Sequence, residues 1–180
     1  VLKKGVDPST DLEPEYIAVS GGKAYITLQE NNAIAVLDLT SRTFDGIYSA
    51  GFEDYGVTPI DIDKKDDAYA PRTYGSLMGI RMPDGIAAFQ VDGKTYLVTA
   101  NEGDAREWGD EDLGTFYLSE DEQDFGEEGV TSPTGAITGE NSGLEGKVVF
   151  FKVEDFDGLD SGKDYLFGGR TFTIYEAGEN

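Results

Sequence analysis

Short runs rich in Val, Ile, Thr, Tyr and Phe alternate along this chain with turns built on glycine. That spacing belongs to strands rather than helices and predicts an all-β fold. One pattern occurs twice. Glu13-Pro14-Glu15-Tyr16-Ile17-Ala18 followed by Gly22-Lys23-Ala24-Tyr25-Ile26 returns as Met82-Pro83-Asp84-Gly85-Ile86-Ala87 followed by Gly93-Lys94-Thr95-Tyr96-Leu97. Arg42-Thr43-Phe44, with Ile47-Tyr48 and Ala50-Gly51 behind it, returns in the same order as Arg170-Thr171-Phe172, with Ile174-Tyr175 and Ala177-Gly178.

Each copy contains four strand-like runs. They are Tyr16–Val19, Ala24–Leu28, Ala33–Leu39 and Thr43–Tyr48 in the first, and Gly85–Val91, Thr95–Ala100, Lys147–Val153 and Arg170–Tyr175 in the second. The turns Ser20-Gly21-Gly22-Lys23 and Val91-Asp92-Gly93-Lys94 read as two-residue hairpins. The first unit is close to the roughly 40-residue period of a four-stranded propeller blade. A β-sandwich also accommodates eight short strands, but it does not require one four-strand unit to occur twice. The expectation is therefore about two four-stranded antiparallel blades of a β-propeller. Residues 1–12 lead in, 13–51 form the first blade, 52–81 an insertion between blades, and 82–180 the second blade, itself interrupted by an acidic insertion over 102–145. In a blade of alternating strands, both long insertions leave from one face. Two blades leave open edges, so the remaining blades of a longer parent chain are the first expected partner.

Charge narrows the function. The chain has 36 acidic and 14 basic residues, a formal −22, which argues against nucleic acid or an anionic membrane surface as a partner. It has no cysteine and no histidine, so disulfides, thiolate or histidine-based nucleophilic sites and zinc are not expected. Oxygen ligands alone favour calcium, magnesium or manganese. No run of 18 apolar residues is present to span a membrane, and Val1-Leu2-Lys3-Lys4 lacks a signal-peptide core, so an export signal would lie upstream. Gly139–Gly146 lacks the Lys-Ser/Thr ending of a phosphate-binding loop, so no nucleotide is expected.

The runs Leu12–Val19, Tyr25–Val36, Pro83–Ala88 and Leu97-Val98-Thr99-Ala100-Asn101-Glu102-Gly103-Asp104-Ala105-Arg106 resemble a known family. It comprises the mesenchyme-specific cell-surface glycoproteins and their bacterial relatives, described as choice-of-anchor or alkaline-phosphatase-like. The resemblance implies an extracellular or cell-surface propeller longer than this chain, a link to calcium, and no settled catalytic activity. Where relatives carry an Asp-rich stretch followed by Gly, this chain has Asp61-Ile62-Asp63-Lys64-Lys65-Asp66-Asp67, interrupted by two lysines.

Two groups of acids are candidate cation ligands. Glu15 and Asp84 open the innermost strand of each unit; Glu30 and Asn101-Glu102 end the second strand, with Asp104 just beyond. On blade topology these oxygens share one face, and calcium takes six to eight of them. The plainer alternative is that each acid caps a turn or pairs with Lys23, Lys94 or Arg106. The second group is Asp61, Asp63 and Asp66. An EF-hand loop requires Gly at its sixth position and an acid at its twelfth, where this chain has Asp66 and Arg72, so only an irregular loop fits. Glu102–Glu128, with twelve acids and one Arg, reads as an extended, self-repelling segment.

The leading function is a non-enzymatic extracellular or cell-surface domain that binds divalent cations, calcium first among them, or a surface ligand, with self-association as a further expectation. The rival is a calcium-dependent phosphoester hydrolase of phosphatase or phytase type, in which clamped cations activate water. Its phosphate would have only Arg72, Arg81 and Arg106 to meet, and no nucleophile is evident. A lactonase-like propeller is a third alternative.

Overall fold

The computed structural model describes residues 1–63, 67–106, 108–110, 115–117, 122–126, 132, 134, 135, 137 and 143–178. Helix among them amounts to α1 (Pro8–Asp11) and 3-10 turns at 143–144 and Val153–Asp155, and the sheets are antiparallel, as the sequence predicts. The chain forms two compact units. Unit 1 comprises Val1–Phe52, Ile80–Asp104 and Gly168–Asn180; unit 2 comprises Glu53–Gly79 and Ala105–Phe167.

Strands are numbered along the chain. Unit 1 holds the short β1 (Leu2–Lys3) and then β2 (Pro14–Ser20), β3 (Lys23–Leu28), β4 (Ala33–Asp38) and β5 (Thr43–Ser49), joined as one sheet in that order. Its second sheet has the order β16-β9-β8, from β8 (Pro83–Val91), β9 (Lys94–Asn101) and β16 (Thr171–Ala177). Both predicted hairpins form. Gly21 and Gly22 (φ 58° and 80°) and Asp92 and Gly93 (φ 50° and 80°) supply the two positive φ angles of a turn whose twist suits antiparallel strands.

The two sheets stack. Tyr25, Ile34 and Val36 of the first pack against Ile86, Ala88, Leu97, Tyr175 and Ala177 of the second. On the far side of the first sheet, Ala24, Ile26, Leu28, Ala33 and Ala35 are buried with Leu12 and Leu37. The flanking residues on that side, Ile17, Val19, Phe44 and Ile47, stay exposed, Phe44 at 65%. The far side of the second sheet likewise exposes Phe89, Val91, Phe172 and Ile174, Phe172 at 71%. Over the first two strands of each repeat these bare faces are the counterparts of the packed ones, whereas in the last strand Phe44 and its counterpart Phe172 are both bare. Tyr96 on the bare side of the second sheet corresponds to Tyr25 in the interface, and Ile26 on the far side of the first corresponds to Leu97.

The second sheet differs from expectation. It has three strands, and its third place is taken by β16 rather than Lys147–Val153. That run does form a strand in unit 2, over the three residues of β13 (Val149–Phe151), but it pairs with β12 (Glu122–Asp124). Its hydrophobicity explains the difference. Phe150 and Val148 join the unit 2 core, and Phe151 stacks on Phe167 at 4.0 Å between ring centres. A run buried on both sides signals a strand but not its neighbour. Among the described residues no sheet closes on itself.

Unit 2 also contains β10 (Trp108–Asp110), β11 (Thr115–Tyr117), β14 (Phe156–Asp157) and β15 (Asp164–Phe167), and all but one end residue each of β6 (Phe52–Asp54) and β7 (Leu77–Ile80). Its core draws Tyr55, Ile62, Tyr74 and Leu77 from the first predicted insertion, and Phe125, Ile137 and Leu144 from the second. The two insertions thus share one hydrophobic core.

Candidate functional site

The two repeats begin with the same irregularity. Pairing between β2 and β3 slips between Pro14 and Ile17, and pairing between β8 and β9 slips between Pro83 and Ile86. Glu15 and Asp84 lie within these equivalent bulges. An extra residue in a strand breaks the alternation of side chains and re-aims one of them, which is why bulges recur beside binding sites. Here the outcome is an approach between repeats, since the Asp84 carboxyl lies close enough to that of Glu15 to push it up. Burial pushes the Glu15 carboxyl above its ordinary value, and Asp84, Asp104 and Glu13 push it further the same way. Two carboxylates held this close resist ionising together.

Three residues of the first predicted group, Glu15, Asp84 and Asp104, are therefore brought near one another, and Glu13 joins them. Glu13 belongs to the quoted repeat motif, but its counterpart in the second copy is Met82, so the repeat gave no reason to select it. The other three have different settings. Glu30 is buried in the β3–β4 turn, Glu102 is exposed, and Asn101 is buried among threonines. Thr99 Oγ1 donates to Asn101 Oδ1 at 2.9 Å, and Asn101 Nδ2 donates to the hydroxyls of Thr171 at 2.9 Å and Thr173 at 2.7 Å. Asn101 thereby ties β9 to β16.

The β3–β4 turn, Gln29-Glu30-Asn31-Asn32, is polar and yet buried throughout. Asn32 explains much of this. At φ 53° it takes the left-handed conformation that asparagine tolerates, its Nδ2 donates to the Gly51 carbonyl at 2.9 Å, and its Oδ1 accepts from the Met82 backbone N–H at 2.9 Å. Asn31 Nδ2 donates to Asp11 Oδ2 at 3.0 Å. The sequence pattern singled out Glu30 of this turn but not Asn31 or Asn32, because their bonds reach residues distant in the chain.

Lys23 and Lys94, expected as partners for the candidate acids, sit at the opposite ends of β3 and β9. Lys23 pairs with Asp45 at 2.6 Å and Lys94 with Glu176 at 2.5 Å. In unit 2, Asp61 closes its own loop, accepting from the backbone N–H groups of Asp63 at 3.3 Å and Ala70 at 2.9 Å, while Asp63 pairs with Lys147 at 2.7 Å. Asp66 lies outside the described residues. Arg72 donates to the Tyr74 hydroxyl at 2.9 Å, Arg81 to the Ala50 carbonyl at 3.0 Å, and the buried Arg106 lies over the Phe156 ring.

Among the described residues no three acidic side chains form a ligand set by themselves. A cation at Glu15 and Asp84 would bind two carboxylates and complete its shell with water, which calcium and magnesium both accept. The forced proximity of the pair fits such an ion, which would relieve the repulsion between them.

Among the described residues no helix is long and apolar enough to cross a membrane. No curated protein and no solved structure shows significant similarity to the chain. The choice-of-anchor I domain model matches residues 2–180, which supports the choice-of-anchor part of the resemblance and adds nothing to its mesenchyme glycoprotein or alkaline-phosphatase parts. The chain belongs to the choice-of-anchor I domain family.

Proposed function

We propose that this chain is a non-enzymatic, propeller-type domain that binds a divalent cation, calcium in the first instance, where its repeats meet at Glu15 and Asp84. Its family makes it a domain of a cell-surface or extracellular protein. The observation that carries the cation reading is the nearness of the Glu15 and Asp84 carboxyls, which come from equivalent bulges and have Asp104 and Glu13 nearby. Acids that only kept the protein soluble would spread apart, because like charges in contact cost stability. The propeller reading rests on the stacking of two repeat-related sheets and on the apolar faces left bare on either side, which over the first two strands of each repeat are the counterparts of packed faces.

Thermal melts in calcium, magnesium and sodium test the cation reading. A ligand that binds only the folded state stabilises by about 2.7 kcal/mol at 100 times its Kd, about 5–10 °C in Tm for a chain of this size. Calcium should raise the Tm of the wild-type protein, and Glu15→Gln with Asp84→Asn should remove that rise. Equal shifts in all three salts at matched ionic strength would mean general screening of the −22 charge and would sink the proposal.

A further inference from the structure

At the hairpin end of unit 1, away from Glu15 and Asp84, the stacked sheets part to leave a cleft of about 680 Å³. That is within the usual size range of small-molecule sites, roughly 300–1,000 Å³. Its floor is apolar, with Ile34, Val36 and Leu97 between the rings of Tyr25 and Tyr175. Its rim carries one ion pair, Lys23 with Asp45, on the same face of the first sheet as Tyr25. The Asp45 hydrogen bond holds the Lys23 ammonium above its ordinary value. The pair offers one cation and one anion side by side in a chain of net charge −22, while the Lys94–Glu176 pair lies with Tyr96 on the far face of the second sheet.

One wall is a flat aromatic surface. Tyr48 pairs across the sheet with Ile34, which puts its ring on the cleft side of β5, and it is 49% exposed. A Cβ at Gly46 would lie 3.1 Å from that ring, so glycine there lets the ring lie close along the strand. Asp45 sits where the register slips between Val36 and Leu37, which turns its carboxylate toward Lys23.

We propose that this cleft binds a neutral saccharide. A sugar ring has an apolar face that stacks on an aromatic such as Tyr48. Its hydroxyls both donate and accept, matching the Lys23–Asp45 ammonium–carboxylate pair and the Thr95 hydroxyl along the rim. An anionic ligand would meet the overall negative field. A wholly apolar ligand would bury the ion pair without replacing its water.

The test is a titration of the isotope-labelled intact chain with neutral trisaccharides of glucose, galactose, mannose and N-acetylglucosamine, following the Gly21, Gly93 and Gly178 amides. EDTA is present throughout, so the result does not depend on the cation site. The expected result is saturable shifts at those amides with a Kd on the order of 1 mM for at least one sugar, weakened about tenfold or more by Tyr48→Ala and retained by Tyr48→Phe. Amide shifts around Asn101 check that the variants remain folded. The proposal fails if no neutral sugar gives saturable shifts, if Tyr48→Ala binds as well as wild type, or if a glucuronate trisaccharide binds more tightly than the neutral ones.

Discussion

The carboxyl of Asp84 lies close against that of Glu15, its counterpart in the first repeat, and pushes it up, although the two residues are far apart in sequence. The contact favours the protonated form of Glu15, raising it above the ordinary glutamate value of 4.5. A carboxyl raised on folding stabilises fully below its unfolded value, and that contribution is lost as pH climbs through the folded value. Without a cation, the surrounding acids make the ionised form of Glu15 the less favourable one.

Glu15→Gln should therefore raise stability at neutral pH in EDTA by a few tenths of a kcal/mol to about 1 kcal/mol, the size of interactions between exposed charges. The gain should vanish on acidification through 4.5, where Glu15 already carries its proton. Denaturant melts across pH check this. A variant less stable than wild type at neutral pH would mean the charges do not oppose each other.

Asn32→Ala should be among the more damaging single changes in unit 1. It removes two buried hydrogen bonds, to Gly51 and Met82, and puts a residue with a Cβ but no polar side chain at φ 53°. A loss of about 2–4 kcal/mol is expected from two buried backbone groups left without partners. Equilibrium unfolding in urea measures it; a loss within the error of the method would show that water replaces the amide.

The bare faces should make the isolated chain self-associate. Phe172 and Ile174 on one side, and Phe44 and Ile47 on the other, expose apolar surface of a kind that pairs with a partner. Light scattering over a concentration series should show mass growing with concentration. Replacing Phe172 and Ile174 together by lysine should weaken the association about tenfold or more, on the scale of burying two large side chains. A strict monomer at all concentrations would show that these faces need no cover.

What could be read from the sequence was local or repeated. The hairpins at Gly21-Gly22 and Asp92-Gly93 announce themselves through residues that accept positive φ. The nearness of Glu15 and Asp84 followed from the repeat, because equivalent residues of stacked sheets meet at one end. The partner of Lys147–Val153 was not legible, since burial on both faces fixes a strand without naming its neighbour. Nor were the pairings of Lys23 with Asp45 and Lys94 with Glu176, which are set by strand order across each sheet. The role of Asn32 was hidden for the same reason, as its partners are brought to it by the fold.

Calcium titration by calorimetry, on the wild-type chain and on the Glu15→Gln, Asp84→Asn pair of substitutions, tests the central claim most directly. The wild type should bind with a Kd of roughly 10⁻⁴–10⁻³ M, the range of extracellular calcium modules. Binding should weaken as pH falls toward the raised Glu15 value, because the Glu15 proton must leave before the cation enters. The doubly substituted chain should give no binding heat. Equal calcium binding by both chains, or none by either, would contradict the account.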